Sequence, residues 1–501
     1  MTTTERPTSP PADAKGSPRT GRRIRRLAVS AALAAVVIGG LAAAVVVFQP
    51  FDEGFNGGGF ANVVSTETPA VNPLEIPELL EPTMIDGVAT YQLSLDASSH
   101  VFRDGVASET IAYNQTSVLG PTLLWRTGDQ VSLDVTNNLP EEATTTHWHG
   151  ADVPVEADGG PGSRIDTGDT WTASFEVIQP AATLWYHPHL KDLTAAQVYA
   201  GAAGLIIVED DTAAVDALPH TYGVDDIPII LQDREFDAAG QLDFELDLDD
   251  NGDLNPELTV NGTMNPYVDV PAGLVRLRLL NGSQARVYQL SLDTGAAFTK
   301  VASDGGFLSR PVELTELLIG PGDRAEIVID TSDGVVNLID ADFERVVELR
   351  PDPAEAGTGR IPDALAVVPR FAPDGFDNER SFVMEAVGEG WGINGQQMDP
   401  ARIDETIQFG ATERWTLSAP EGIHTFHVHQ TQFQILEING APPPPEDAGW
   451  EDTVLVTGDQ TVVVAARFDT YTNPTMGYMF HCHILDHEDS GMMGQFQVLD
   501  E

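Results

Sequence analysis

Short runs of alternating apolar and polar residues recur along the chain from about residue 73 to its carboxyl end. Examples are QVSLDVTNNLP, WTASFEVIQP, VRLRLLNGS and RAEIVIDTS, which run into Asn, Gly, Pro or Ser. A period of two places successive side chains on opposite faces of the backbone, as in a half-buried strand. No long amphipathic helical pattern accompanies these runs, so the sequence predicts an all-β body built from antiparallel sheets.

Two breaks in the pattern divide this body. The first is the acidic stretch that follows GLIIVEDD, near residues 212–224, and the second is RPDPAEAGTGRIPD, which begins at Arg350. A chain of 501 residues is too long for one hydrophobic core, and the segments between the breaks suit Greek-key β-sandwiches. We therefore predict three sandwich domains in series, at residues 73–215, 224–349 and 380–501, with a linker at 350–379.

The amino-terminal end has a different composition. Residues 1–26 are rich in Pro, Thr and Ser, end in a cluster of arginines, and are predicted to be disordered. An uncharged apolar run follows at 27–48 and a flexible linker at 49–72. Because about 20 apolar residues can cross a bilayer, we predict a transmembrane anchor or an export signal at 27–48. The remaining chain would then lie outside the cytoplasm, in the cell envelope or secreted, and contact the membrane only through this segment.

The charge and the cysteine content narrow the classes of function. The formal net charge is −51, with 77 acidic against 26 basic residues, so nucleic acid is excluded as a partner because its phosphates would be repelled. Cys482 is the single cysteine. It cannot form an internal disulfide and is therefore available for other chemistry.

The histidines are strongly clustered. Ten of the twelve lie in four short motifs, namely HWHG (His147, His149), WYHPH (His187, His189), HTFHVH (His424, His427, His429) and HCHILDH (His481, His483, His487). In a strand, a His-x-His pair places two imidazoles on one face. Packing has no need to gather imidazoles, so four such motifs predict metal binding. No histidine lies between His220 and His424, and we therefore expect the middle segment to be structural.

The position of Cys482 indicates which metal is bound. It lies between His481 and His483, and in a strand its side chain points to the opposite face from theirs. A thiolate with two imidazoles in a trigonal plane and a distant thioether is a copper site for electron transfer. We predict that Cys482, His424 and His487 form the plane and that Met492, rather than Met493, is the axial ligand. The eight remaining histidines suffice for one mononuclear copper with two ligands and a copper pair with three each.

With these motifs the sequence resembles the multicopper oxidases of the three-domain bacterial type, a group that includes copper-efflux oxidase, spore-coat laccase and bilirubin oxidase. The resemblance runs from about Pro73 to the carboxyl end and includes PAATLWYHPH, GWEDTVLV and HCHILDHEDSGMMGQF. It implies cupredoxin domains and four copper ions per chain. It assigns His147 and His427 to a mononuclear copper. It assigns the ligands of the copper pair in two sets: His149, His187 and His483, and His189, His429 and His481.

The resemblance also implies two acids and shows two departures. Asp158 and Glu488 match acids that relay protons to bound oxygen in similar enzymes, since the reduction of dioxygen to water consumes four protons. Thr425 and Gln430 stand where many relatives carry Pro and Gly. The methionine-rich insertion that accompanies cuprous ion oxidation is absent, which puts that activity in doubt.

From these features we predict a laccase-like oxidase. Phenols or aromatic amines would give up single electrons at the copper bound to Cys482, which we expect near the surface, and dioxygen would be reduced to water at the histidine-bound coppers. One alternative is an oxidase of cuprous, manganous or ferrous ions, which acidic side chains near His424 and His487 would favour. Another is a copper-free cupredoxin-fold scaffold protein, but such a protein would be expected to have lost ligands, and all twelve are present.

Overall fold

The computed structural model describes residues 66, 68–103, 105–246, 252, 254–343, 345–372, 374–458 and 460–500. The predicted segments at 1–26 and 27–48, and most of the predicted linker at 49–72, lie outside these residues. Among the described helices, none has the length and apolar character needed to span a bilayer. The anchor or export signal stays a prediction.

Two sheets form from residues 79–209. The first has the spatial order Thr83–Ile85, Val88–Arg103, Gln130–Asn137 and Thr170–Glu176, with Val106–Tyr113 paired to Val88–Arg103. The second has the order Leu79–Leu80, Thr122–Arg126, Gly204–Glu209, Ala182–His187 and His147–His149. Side chains of both sheets, such as Leu133, Trp148 and Leu184, share one core. This part of the chain is therefore a sandwich with a core of its own.

The middle of the chain forms a second pair of sheets. One has seven strands, in the order Thr263–Met264, Glu257–Val260, Asp226–Arg234, Leu274–Asn281, Arg324–Asp330, Phe298–Ser303 and Gly306–Leu314. The other has six, in the order Asn72–Pro73, Pro266–Ala272, Val347–Ala356, Val336–Asp340, Tyr288–Leu292 and Glu316–Ile319. Their shared core includes Ile229, Leu279 and Leu338.

The last part forms a third pair of sheets. One has the order Gly390–Ile393, Asn378–Val387, Thr412–Ser418, Thr461–Arg467 and Phe433–Ile438. The other has the order Glu405–Gln408, Met493–Leu499, Tyr478–Cys482, Ile423–Val428 and Thr453–Thr457. Their core includes Phe382, Trp415 and Phe426, together with Cys482 and Met492. The thiol therefore lies inside the third core.

The alternation in the sequence explains the strands. In Gln130–Asn137 the side chains of Val131, Leu133 and Val135 are buried, while the residues between them are partly exposed. The described helices are short, and the longest has six residues. They are Thr194–Tyr199, Ala213–Ala217 and Leu485–Asp489, with 3-10 turns at Val155–Ala157 and Pro445–Asp447. The predicted all-β class is confirmed.

Two strands cross the predicted segment boundaries. Asn72–Pro73 pairs in parallel with Pro266–Tyr267, and Leu74 belongs to the middle core. Val347–Ala356 extends into the predicted linker at 350–379. The first described strand therefore lies on a middle sheet, and the chain then enters the first sandwich. The domain boundaries themselves stay a prediction.

Candidate metal centre

Two strand pairs present most of the histidines. His147–His149 pairs with Ala182–His187, and this places His147 opposite His187. Ile423–Val428 pairs with Tyr478–Cys482, and this places His427 opposite His481. Residues directly opposite each other in a ladder point to the same face. Each pairing thus brings together imidazoles that are far apart in sequence.

The strand Tyr478–Cys482 separates two groups of ligands. Cys482 lies opposite Phe426, so its side chain shares the face of His424, two residues from Phe426, while His427 and His481 point to the other face. The Cys482 amide donates a hydrogen bond to the Met492 carbonyl (3.0 Å), and this places Met492 beside the cysteine. Met493 instead lies opposite His481.

The first ligand group, which we call the thiol group, consists of Cys482, His424 and His487. The Cys482 sulfur lies 3.6 Å from His424 Nδ1 and 3.8 Å from His487 Nδ1, and the two Nδ1 atoms are 3.2 Å apart. All three residues are completely buried. Burial raises the pKa of the Cys482 thiol to about 12 and lowers the pKa of His424 to about 4. Copper binding here would displace a proton from the thiol.

Trp391 covers the thiol group, and no pattern in the sequence indicates this role. Its ring lies 4.4 Å from that of His487 and 5.2 Å from that of His424, measured between centroids. It is carried by Gly390–Ile393, which pairs with Asn378–Val387. The expectation that the copper at Cys482 lies near the surface stays a prediction. The His487 side chain itself has no exposed area. The reason is that an aromatic ring packs on it.

The second ligand group, which we call the histidine cluster, contains the other eight clustered histidines. His481 Nε2 lies 3.1 Å from His189 Nε2 and 3.3 Å from His429 Nε2. Ligand atoms of three sets lie within 4.8 Å of one another: His189, His429 and His481; His149, His187 and His483; and His147, His427 and His429. The first two sets are those that the resemblance implied for the copper pair, and the third contains the two histidines implied for the mononuclear copper.

Backbone carbonyls decide which nitrogen faces the cluster. The Nδ1 atoms of His147, His187 and His427 are held by the carbonyls of Asp158 (2.8 Å), Pro188 (2.7 Å) and Asp452 (2.9 Å). Their Nε2 atoms are buried and have no hydrogen-bond partner among the described residues. The His149 ring has the opposite orientation to these three. Its Nε2 lies 3.0 Å from a carboxylate oxygen of Asp452, and its Nδ1 has no described hydrogen-bond partner. Each ring is thus fixed on one side and leaves a lone pair on the other.

The lowered pKa values of the buried histidines are compatible with metal binding. Burial, reinforced by neighbouring histidines, lowers the pKa of His147, His149 and His483 well below its ordinary value, so these imidazoles are neutral near pH 7. Neutral imidazoles with inward lone pairs, and a thiol with two imidazoles, are the donors that copper prefers. The residues present therefore fit copper.

Two predicted acids contact the cluster from outside. An oxygen of Asp158 lies 2.8 Å from His429 Nδ1, and burial raises the pKa of this carboxyl to about 8. The two oxygens of Glu488 each lie 3.2 Å from an Nδ1 atom, one of His189 and one of His481. Burial tends to raise the pKa of Glu488, but the two histidines outweigh it and lower that pKa to about 2. Both carboxyls can exchange protons with the outer edge of a cluster imidazole.

Asp452 and Arg324 also belong to this site, and the sequence did not indicate their roles. Asp452 lies in GWEDTVLV and forms a further compact set with His149 and His427. Its two carboxylate oxygens each accept a 2.6 Å hydrogen bond from the buried Arg324 guanidinium. This pairing lowers the pKa of Asp452, against the effect of its burial. Asp452 therefore serves as an anchor for histidines and not as a free ligand.

One departure from the family pattern has a visible consequence. Gln430 adopts φ = 71°, a left-handed conformation that favours glycine, and many relatives carry glycine at this position. Its side-chain amide donates a 2.8 Å hydrogen bond to the Tyr471 carbonyl. This bond holds the conformation beside His429 without removing a ligand.

Comparison with known proteins gives a consistent result. Residues 96–213 and residues 369–501 each match a family model described as multicopper oxidase. The multicopper oxidase mco of Staphylococcus aureus is 36% identical over 436 residues, which covers 85% of this chain and 92% of that protein. The cell division protein FtsP of Escherichia coli (strain K12) is 35% identical over 450 residues, with the same coverage.

A solved structure agrees with these relatives. It is that of the laccase-like multicopper oxidase CueO from the lignin-degrading bacterium Ochrobactrum sp.. This chain shares 35% sequence identity with that CueO, at a TM-score of 0.79. The match covers 85% of this chain and all of that one. The chain therefore belongs to the multicopper oxidase family, and its sheets have the cupredoxin-like arrangement that the resemblance implied. Membership implies copper binding, together with dioxygen and a small-molecule or metal-ion substrate.

Proposed function

We propose that this protein is a laccase-like multicopper oxidase that holds four copper ions, one in the thiol group and three in the histidine cluster. It would couple the one-electron oxidation of phenols or aromatic amines to the four-electron reduction of dioxygen to water. The observation that supports this most directly is the buried ligand set: ten histidines and one cysteine converge in two groups whose donor atoms lie close together. Copper in these positions would supply the one-electron redox chemistry.

The chain itself would provide the path for electrons between the two groups. Cys482 belongs to the thiol group, while its direct neighbours His481 and His483 belong to the histidine cluster. The link is therefore covalent and lies in one strand, Tyr478–Cys482, and its continuation. We propose Met492 as the axial ligand, supported by its position beside Cys482 in the third core.

Asp158 and Glu488 would supply protons. Asp158 contacts His429, and Glu488 spans His189 and His481. The raised pKa of Asp158 lets it hold a proton near neutral pH, whereas Glu488 has a lowered pKa and would first have to accept one. We propose that Asp158 acts as a general acid and that Glu488 relays protons at the cluster, while the backbone carbonyls around them keep the imidazoles oriented.

Two observations bear on the donor. The Ochrobactrum relative is described as acting on lignin model compounds and lignosulfonate, which supports an organic donor. The net charge of −51 supports the second candidate, an oxidase of reduced metal ions, because an acidic surface attracts cations.

FtsP, at nearly the same identity as the staphylococcal oxidase, is named for cell division. A scaffold role of that kind would need no copper, so the complete ligand set supports the oxidase. If this chain is a scaffold, the purified protein should contain no stoichiometric copper and should take up no oxygen with any donor.

The test uses the purified full chain, loaded with copper and dialysed. We expect four copper ions per chain, an intense blue absorption, and oxygen uptake with phenols and aromatic amines. Cuprous, manganous and ferrous ions are assayed in parallel at the same concentration. Faster oxygen uptake with one of these ions than with every organic donor would replace the phenol assignment by the metal-ion assignment.

A further inference from the structure

The middle segment supplies no histidine to either ligand group, yet one of its loops lies directly against the histidine cluster. Residues 320–323, which we call the GPGD loop, connect Glu316–Ile319 to Arg324–Asp330. The loop is fixed to its own sheet, because the Gly322 amide donates a 2.9 Å hydrogen bond to the Asn281 carbonyl. A shift of this loop would therefore require a shift of the middle sheet.

Gly322 packs on an imidazole of the cluster. Its φ is +87°, and a Cβ atom at this position would lie only 2.9 Å from Cγ of His483 and 3.0 Å from its Cδ2. No other residue type fits here without moving that ring. His483 has no hydrogen-bond partner on either nitrogen among the described residues, so packing takes the place of the hydrogen bond that orients the other rings.

Arg324, the residue after the GPGD loop, reaches two further histidines through Asp452. Its Nη1 and Nη2 atoms donate to Oδ1 and Oδ2 of Asp452, each at 2.6 Å. Asp452 Oδ1 lies 3.0 Å from Nε2 of His149, and the Asp452 carbonyl lies 2.9 Å from Nδ1 of His427. One guanidinium therefore holds the residue that orients two rings.

Asp304 holds the backbone of both Asp452 and Arg324. Its carboxylate accepts hydrogen bonds from the amides of Asp452 (3.3 Å), Thr453 (3.1 Å) and Arg324 (2.7 Å). All these groups are buried. A buried arginine fork matches a carboxylate in one geometry only, and a lysine cannot reproduce it.

We propose that Gly322 and Arg324 of the middle segment are positioning residues for the histidine cluster. Gly322 limits where the ring of His483 lies, and Arg324, acting through Asp452, fixes the ring orientation of His149 and His427. The middle segment is thus a functional part of the metal centre and not only a spacer. The inference rests on the proposed copper ligands.

The first test is Arg324→Lys, which keeps the charge and removes the fork. Its matched control is Arg380→Lys, because Arg380 in the last segment also donates two hydrogen bonds to one carboxylate, from Nε and Nη2 to Glu413, with no described contact to a histidine. Copper per chain is measured after dialysis against increasing chelator concentrations. We expect Arg324→Lys to release cluster copper at ~10- to 100-fold lower chelator concentration than wild type, the usual effect of losing a group that orients ligands.

The second test is Gly322→Ala, matched with Gly295→Ala. Gly295 lies in the same segment at φ +68° and has open space around its missing side chain. Both variants carry the backbone strain of alanine at positive φ, but only Gly322→Ala displaces an imidazole. We expect a changed paramagnetic resonance signal of the histidine-bound copper in Gly322→Ala and a wild-type signal in Gly295→Ala.

The blue absorption of the copper at Cys482 serves as the internal reference in both tests. The proposal is supported if cluster copper is lost or altered while this absorption persists and the controls behave as wild type. It is overturned if both variants retain all their copper with unchanged signals, or if both kinds of copper are lost together as in general unfolding. Absence of copper from the wild-type chain would overturn the proposed function itself.

Discussion

The thiol group and the histidine cluster lie on opposite faces of one strand. They differ in the segments that supply their ligands and in the side chains that contact those ligands. The thiol group comes from a single segment, and its described ring contacts include the apolar surface of Trp391. The histidine cluster joins two segments that are up to 336 residues apart, from His147 to His483, and three carboxylates contact its imidazoles. Under the proposed function, this difference assigns electron transfer alone to the first group and both electron transfer and proton delivery to the second.

The strongest test of the comparison is Cys482→Ser. Serine offers no soft thiolate, so we expect complete loss of the blue absorption and of turnover, while copper still fills the histidine cluster. Absorption spectra and copper per chain measure the two groups separately. A blue, active Cys482→Ser protein would refute the assignment of the thiol group.

The second test concerns protons, and we expect a large effect confined to the histidine cluster. Asp158→Asn keeps the size of the side chain but removes its titratable proton, so reoxidation of the reduced enzyme by dioxygen should slow by ~10²-fold or more. The slowing should grow as pH rises towards the pKa of Asp158, about 8, because solvent then supplies fewer protons, and should shrink above it, because wild-type Asp158 then also lacks its proton. Stopped-flow reoxidation at several pH values measures it.

The control for this variant is Asp152→Asn. Asp152 is only half-buried, but burial likewise raises its pKa to about 8, and its described side-chain hydrogen bond comes from Thr470 (2.9 Å) and not from a histidine. Equal reoxidation rates for Asp158→Asn and wild type would leave Asp158 as an ordinary loop carboxylate.

The third test removes the aromatic cover of the thiol group. In Trp391→Leu, water should come closer to His487 and stabilise the more highly charged oxidised copper, so we expect a lower reduction potential. Redox titration of the blue absorption measures it. Trp415→Leu is the control, because Trp415 packs in the same core against Phe382, Phe426 and Phe468. A potential that shifts equally in both variants would reflect general loosening of the core.

The smallest expected effect is that of Met492→Leu. The blue absorption should persist, and the reduction potential should rise, because a weak axial donor that stabilises oxidised copper is lost. Met493→Leu is the matched control, since that residue lies opposite His481 in the ladder. If the reduction potential rises in Met493→Leu and does not change in Met492→Leu, the axial residue has been misassigned.

The sequence by itself determined the all-β class and the division of the ligands into two groups. Alternation along a strand is a local property, so it was enough to place Cys482 on one side and its two histidine neighbours on the other. The four histidine motifs and the two acids that accompany them were also visible in the sequence. The structure brings these residues together in the sets that the family pattern implied.

The tertiary structure decided what surrounds the ligands. Arg324 and Asp452 are 128 residues apart, Gly322 meets His483 across two segments, and Trp391 covers His487 from a separate hairpin. The reversed ring of His149 depends on the same long-range contacts. The contacts between these residues are not visible in the sequence, even where a residue lies in a motif, because an orienting contact is fixed by which surfaces pack together and not by spacing along the chain. The packing of sheets therefore decided how the imidazoles are held, while the sequence determined which imidazoles they are.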